Sequence, residues 1–253
     1  VGDFSVRVDN QHGPSDELAA SFNAMAERVE RLIRSRDELV QAVSHELGSP
    51  LSRLRLPMEL LENQSDVQRE ERLMAMTREL DALDELVAEL LDYVQSDELA
   101  LDRHAFDPNR ALTDLAELAR LEASDDRTVE VDLGLPNGAS VFADQRLFQR
   151  AIENILRNSV QHARGKVLLE LTEDEEHVRV AVHDDGPGIP EELREQVVIP
   201  FFRLEADRSR KTGGVGLGLA IVSRIMHRHG GRLAIASSPL GGAAVAKLWP
   251  RLG

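Results

Sequence analysis

Apolar residues recur along the first hundred positions with the period of a helix. From Leu18 they fall at Phe22, Met25, Val29 and Leu32, then at Leu39 and Val43. Steps that alternate four and three are the mark of a helix whose apolar seam faces another helix. The same rule puts Arg36, Glu46 and Pro50 on the seam, so it is interrupted there, while Leu47, Leu51, Leu54 and Leu61 carry an apolar face onward. A polar turn, "ENQSD" at 62–66, offers Ser65 or Asp66 as an N-cap. A second helix follows through Leu73, Met76, Leu80, Leu83, Val87, Leu90, Leu91 and Val94. Two long helices around a short polar turn predict an antiparallel hairpin. One hairpin buries little by itself; two of them make a four-helix bundle, which predicts a homodimer. Residues 1–16 read as a connector, with Asp16 as a cap for the first helix.

The pattern changes near residue 100. Residues 108–123 and 144–163 read as helices, the second opening at Asp144, and "TVEVDL" reads as a strand. "VLLELTEDEEHVRVAVHDDG" predicts a hairpin whose second strand ends in acid and glycine. "PEELREQVV" predicts a short helix with proline at its start. "GVGLGLAIVSRIMHRHG" is a glycine loop entering a helix, and "GRLAIASSPLGGAAVAKLWP" is a closing hairpin. Helices combined with antiparallel strands predict an α+β sandwich. The fold class is therefore multidomain: a helical hairpin forming a dimeric bundle, then a sandwich.

Composition narrows the possible functions. The chain has 253 residues, 42% of them hydrophobic but only 4% aromatic, so its cores are built from Leu, Val, Ile and Ala. A net charge of -15, from 45 acidic and 30 basic residues, argues against a nucleic-acid partner. The absence of cysteine rules out a disulfide framework and fits the cytoplasm. No apolar run approaches the length of a membrane span. A first residue that is Val rather than Met suggests a piece of a longer protein.

The candidate chemistry begins inside the first helix, at "SHELGSPL". Pro50 cannot donate to the carbonyl of Glu46 and its ring crowds that carbonyl, so the helix is expected to kink or loosen just past His45. Gly48 softens the same turn, and Pro57 offers a second bend. Histidine titrates near neutrality and becomes a nucleophile when its other ring nitrogen loses or shares a proton. Glu46 stands next to it to take that proton, and Ser49, one turn on, could position a water.

Three later clusters point to a nucleotide. "ENILRN" sets Glu153, Asn154 and Asn158 on one helix face; such oxygens suit Mg²⁺, which takes few protein ligands beside phosphates and water. "DDGPGIP" ends a strand with Asp184, able to accept from an exocyclic amine, while Gly186 and Gly188 let backbone approach a planar ring. "GGVGLGLAIV" opens a helix after Gly214, Gly216 and Gly218, where free N–H groups attract phosphate. It matches neither the Rossmann fingerprint nor a Walker A loop. Between these clusters, "PFFRLEADRSRKTGG" carries Arg203, Arg208, Arg210 and Lys211, a composition suited to a lid over triphosphate.

In this order, the motifs make the chain resemble a sensor histidine kinase of the two-component type over nearly its whole length. "DELAASFNAMAERV" resembles the second helix of a HAMP relay module, "SHELGSPLSRLR" the H box, and "ENILRN" the N box. "DDGPGIP" resembles the G1 box, "PFFR" the F box and "GGVGLGLAIV" the G2 box. "SFNAM", "ENILRN", "DDGPG" and "SPLGG" look most like the Cpx-type envelope-stress sensors of Gram-negative bacteria. The resemblance implies a partial HAMP segment at 1–36, a dimerisation and phosphotransfer hairpin at 37–100, and a Bergerat-type (GHKL) ATP-binding domain at 101–253. It implies ATP-dependent autophosphorylation of His45 with Glu46 as acid/base partner, then transfer to an aspartate of a response-regulator receiver domain, with Ser49 serving dephosphorylation of that partner. It implies ATP and Mg²⁺ as cofactors, with Asn154 and Glu153 toward the metal, Asn158 by the phosphates and Asp184 on the adenine amine. Gly186 and Gly188 would line the base pocket, and Arg203, Gly214, Gly216 and Gly218 would hold phosphate. The expected location is the cytoplasmic part of a bacterial inner-membrane sensor, touching the membrane only through a missing N-terminal part. Departures from the family pattern are Gly48 for arginine, Val215 for threonine or serine, and Ser159 for alanine. The first two leave open a phosphatase-dominant protein or an inert dimeric relay that binds ATP.

Overall fold

The computed structural model describes residues 16–59, 66–98, 100–123, 126–133, 140–174, 177–204 and 215–250. The chain divides into two compact units, Val1–Asp84 and Glu85–Gly253, so the division falls inside the second long helix.

The first unit is helical. α1 runs Asp16–Glu59 and α2 runs Asp66–Glu98. Ser65, one of the two expected caps, lies outside the described residues, as does the connector at 1–15. α1 continues through Gly48, Pro50 and Pro57 without a break, so the expected loosening past His45 does not interrupt the helix. Pro50 can remove only one backbone hydrogen bond from a helix of 44 residues. Around it, the Ser44 hydroxyl donates to the Val40 carbonyl and the Ser52 hydroxyl to the Gly48 carbonyl, each at 2.8 Å. Arg53 on α1 and Glu79 on α2 form a two-pronged ion pair, at 2.9 and 2.8 Å. Much of the apolar seam stays exposed in the single chain, including Phe22, Met25, Leu51, Leu73 and Leu80.

The second unit is a two-layer sandwich. Its strands are β1 (His104–Phe106), β2 (Thr128–Leu133), β3 (Val141–Ala143), β4 (Lys166–Glu173), β5 (His177–Asp184), β6 (Arg232–Ser237) and β7 (Ala243–Pro250). Its helices are α3 (Pro108–Glu122), α4 (Gln145–His162) and α5 (Gly218–His229). Five strands form one sheet in the order β2-β4-β5-β7-β6. Both predicted hairpins are present, but the sheet is not wholly antiparallel: β2 pairs parallel with β4. The segment between these two strands carries α4, and such a crossover returns the chain parallel. β1 and β3 pair in a separate two-stranded sheet that the sequence reading missed. "PEELREQVV" forms one 3-10 turn, Glu191–Leu193, and then turns rather than the expected helix; of its apolar side chains only Val197 is buried, so no stripe holds a longer helix.

α4 lies between α3 and α5 and covers the centre of the sheet. Asp144 caps it, accepting from the amides of Arg146 and Leu147 at 3.1 and 3.3 Å. Its buried stripe, Phe148, Ala151, Ile152, Ile155 and Leu156, meets Val167, Leu169, Val178, Val180 and Val182 of β4 and β5. The far end of this core is aromatic: Phe106 meets Phe148 edge-on at 5.2 Å, and Phe148 and His229 each lie 5.0 Å from Trp249.

His229 also accepts from the Asp144 amide at Nε2 (3.1 Å) and donates from Nδ1 to the Ile225 carbonyl (2.8 Å). Burial pushes its pKa below the ordinary histidine value, against the pull of the Ile225 carbonyl; the positive charges of Arg103 and Arg228 push the same way as burial and Asp144 opposes them. The folded protein therefore holds this ring neutral while the unfolded chain protonates it. That contribution to stability is complete above the ordinary pKa, near 6.5, and is lost as pH falls through the folded value. The loss proceeds at up to about 1.4 kcal/mol per pH unit. The melting temperature should drop between pH 7 and pH 5, and less steeply in His229→Gln, whose amide hydrogen-bonds but does not titrate.

Candidate functional site

Two groups of residues carry chemistry, one in each compact unit. In the first, His45 and Ser49 are exposed and Glu46 is half-buried on the uninterrupted α1. His45 and Ser49 are four residues apart and so share a face. The Ser49 hydroxyl accepts from the Arg53 guanidinium at 2.7 Å, so the triplet read from the sequence has a fourth member that also reaches Glu79. A side chain at Gly48 would touch nothing within 4 Å, which makes that position an open one on the same helix.

In the second unit, α4 and α5 bring the paired amides to the glycine loop. Asn154 is buried, and its Nδ2 donates to the Arg150 carbonyl at 2.9 Å, which turns Oδ1 the other way. A Cβ on Gly218 would lie 3.5 Å from that Oδ1 and 3.6 Å from Asn158 Nδ2, so the first residue of α5 sits directly against both amides. Leu217, before α5, gives no side-chain cap, and among the described residues no side chain caps the N–H groups of its first turn, which lie beside the asparagines. Gly216, two residues earlier, has φ +84°, and a Cβ there would stand 2.8 Å from the Phe202 carbonyl. The Phe201 amide donates to the Gly216 carbonyl at 3.0 Å, and Phe201 itself has φ +64°. A left-handed phenylalanine is costly and persists only where its surroundings impose it; here the bond to Gly216 does so. Arg203 follows, half-buried, while Gly214, Arg208, Arg210 and Lys211 lie outside the described residues.

Glu153 projects from α4 beside Asn154 and pairs with Arg150 at 3.3 Å; Arg150 also pairs with Asp92 of α2. One turn on, Arg157 pairs with Glu85 at 3.2 Å and with Glu89. Burial pushes the Glu89 carboxyl up, and Arg157 offsets part of that. Arg224 of α5 lies over the Tyr93 ring, 4.3 Å from its centre. These arginines, missed in the sequence reading, tie the last turns of α2 to α4 and α5. Their spacing in sequence, Arg150 four residues before Asn154 and Arg157 directly before Asn158, was the available signal.

The third cluster closes the end of β5. Asp184 is buried; its Oδ1 accepts from the Gly186 and Ala243 amides at 2.9 and 3.0 Å, and Oδ2 has no hydrogen-bond partner among the described residues. Gly186 is needed for close approach: a Cβ would stand 2.7 Å from the His162 carbonyl. Gly188 has φ +75°. The adjacent Asp185 does a different job. It accepts from the Arg164 amide at 2.8 Å and the Gly165 amide at 3.1 Å, fastening the end of α4 to β5. Desolvation works against its charge, but these backbone donors win and hold its pKa below the usual carboxylate range.

Comparison with known proteins gives a consistent answer. Residues 35–99 match the family model of the His Kinase A (phospho-acceptor) domain, and residues 143–252 that of the histidine kinase-, DNA gyrase B-, and HSP90-like ATPase. The chain is 36% identical over 251 residues to the sensor protein RstB of Escherichia coli K12, covering 98% of this chain and 57% of that protein. It is 33% identical over 245 residues to the sensor histidine kinase CpxA of the same strain, covering 95% and 53%. The chain thus spans about half the length of the curated relatives it matches. Among solved structures, full-length ShkA in complex with AMPPNP aligns with a TM-score of 0.58 at 25% identity, over 85% of this chain and 47% of that one. The mycobacterial sensor histidine kinase MprB aligns with a TM-score of 0.50 at 28% identity, over 58% and 97%.

Proposed function

This chain belongs to the sensor histidine kinases of the two-component type, and we propose that it transfers the γ-phosphoryl group of ATP to His45 and then to an aspartate of a response-regulator receiver domain. The observation that carries this reading is the meeting of Asn154 and Asn158 with the uncapped start of α5. Two amide side chains thus lie against a helix start, whose N–H groups and dipole attract phosphate.

In this reading residues 1–36 relay a signal, 37–100 dimerise and accept phosphate, and 101–253 bind ATP. The exposed seam of α1 and α2 supports dimerisation, since a second copy would cover it. Among the described residues, no helix is long and apolar enough to cross a membrane.

Mg²⁺ fits the donors present: Asn154 Oδ1 is a hard neutral oxygen turned toward the α5 start, with Glu153 beside it. When bound, the ion would neutralise phosphate charge and orient the γ-phosphoryl group. Asn158 and the α5 amides hold phosphate oxygens, and Asp184 Oδ2 accepts from the adenine amine. One ring nitrogen of His45 attacks phosphorus as the bond to the β–γ bridging oxygen breaks and ADP departs. Glu46 accepts the proton from the other ring nitrogen. Catalysis is then chiefly positioning and charge stabilisation. The reverse duty, removal of phosphate from the receiver, would use Ser49 with Arg53 holding its hydroxyl.

The test is incubation of the chain with γ-labelled ATP and Mg²⁺. The expected result is label that is stable to alkali and lost in acid, and that passes to an added receiver domain. ATP bound without label on the protein would sink the kinase reading and favour an inert relay or a receiver phosphatase.

A further inference from the structure

The side chain of Asp184 does not hold its own orientation. The terminal torsion of an aspartate is broad and roughly two-fold, so a carboxylate plane is fixed only by what hydrogen-bonds to it. At Asp184 that hold comes partly from its own turn, through the Gly186 amide at 2.9 Å. The rest comes from a distant segment, the turn between β6 and β7. Ala243 donates its N–H to Oδ1 at 3.0 Å, and Gly242 donates to the Asp184 carbonyl at 3.1 Å. The turn is itself closed by Ser238, whose amide donates to the Gly242 carbonyl at 2.8 Å and whose hydroxyl accepts from the Leu240 amide at 3.0 Å. Gly242 has no room for a side chain, because a Cβ would overlap Asp184 Oδ1 and the Gly186 amide. Only glycine lets the turn close this tightly onto the carboxylate.

An ionised carboxylate accepts hydrogen bonds and donates none. With Oδ1 saturated by two amides, Oδ2 is left as a single acceptor of fixed direction. It rewards an amino group placed opposite and repels a carbonyl oxygen in the same place. Sites built around one such polar contact discriminate strongly against the analogue lacking it.

We propose that Gly242 and the Ala243 amide are the positioning elements that fix Asp184 to select a 6-aminopurine nucleotide over a 6-oxopurine one. This rests on the nucleotide reading given above. The β6–β7 turn thereby becomes part of base selection, although the action runs through Asp184.

The experiment is calorimetric titration of the full chain with ATP and with GTP in Mg²⁺, for wild type, Gly242→Ala and Ala243→Pro. Wild type should prefer ATP. Each variant should narrow the ATP:GTP affinity ratio about tenfold or more, the scale of one misdirected hydrogen bond to a charged group. General loosening of the domain would lower both affinities alike and leave the ratio in place. Ala243→Pro removes one donor at the first residue of a strand, where proline is tolerated, so it decides the matter if Gly242→Ala does not fold. An unchanged ratio in the folded variants overturns the inference and leaves the nucleotide reading standing. A wild type that binds both nucleotides without preference overturns the inference alone, and one that binds neither overturns both.

Discussion

Replacing His45 with glutamine is expected to abolish labelling from γ-labelled ATP, to at least about 10³-fold below wild type. Removing a nucleophile costs on that order or more, because no neighbouring group takes over its bond to phosphorus. Glutamine keeps the length and polarity of the side chain and removes only the basic ring nitrogen. His45 is exposed and lies in the first compact unit, while Asn154, Asn158, Gly218 and Asp184 lie in the second. ATP affinity by titration should therefore stay at its wild-type value while the label vanishes. Label retained on the variant would place the phosphoacceptor elsewhere. Loss of ATP binding with loss of label would show that the change damaged the fold rather than the chemistry.

A second large effect is expected from Lys247→Met, this time as a gain in stability. Lys247 is fully buried on β7 and its Nζ has no hydrogen-bond partner among the described residues. It pairs across the sheet with Val180 and Leu233, both part of or packed on the apolar core. An ammonium there is desolvated with nothing to compensate it, and burial drives its pKa well below the ordinary lysine value. The unfolded chain keeps the proton that the fold refuses. Stability is thus depressed at neutral pH and recovers as pH rises toward 10.5, at up to about 1.4 kcal/mol per pH unit. Methionine fills a similar volume without the amine. The variant should melt higher at pH 7, by roughly 2–4 °C for each kcal/mol recovered. It should also lose the rise in stability between neutral and alkaline pH. Matching melting curves for the two proteins across that pH range would show that Lys247 finds a partner in solution.

Lys247 also shows how far the sequence could be read. The alternation Val245, Lys247, Trp249 places the lysine on the core face of β7, and the period alone would have revealed it. A strand's register is set by its apolar members, and a lone polar residue is carried along. The helices were legible because α3, α4 and α5 each bury a clear stripe, and Asp144 was legible as a cap. β1 and β3 were not: strands of three residues have no period to detect. The parallel placement of β2 was likewise hidden, since pairing partners are chosen in three dimensions. At Pro50 the helix is not interrupted, since α1 runs on from Asp16 to Glu59. Within the site, Asn154, Asn158, Asp184 and Gly218 were visible as motif residues. Arg53, Arg150, Arg157 and Gly242 were not, because each works through a neighbour that sequence spacing does not bring near.

The position of β7 in the sheet has a consequence for how the protein acquires its pocket. β4 and β5 are joined by a short turn, as are β6 and β7, so each hairpin closes a short loop and can form early. β5 pairs with β7 only after the long intervening segment has been gathered in; the Ala243–Asp184 hydrogen bond spans 59 residues. The contact between the Ala243 amide and the Asp184 carboxylate is therefore made by a long-range pairing, the slow class. A chain emerging from the ribosome has α4 and Asp184 well before it has Gly242. If Asp184 binds the base as proposed, preference for ATP over GTP would arrive only with the last strand, and that preference in a truncated chain would report whether the sheet is complete.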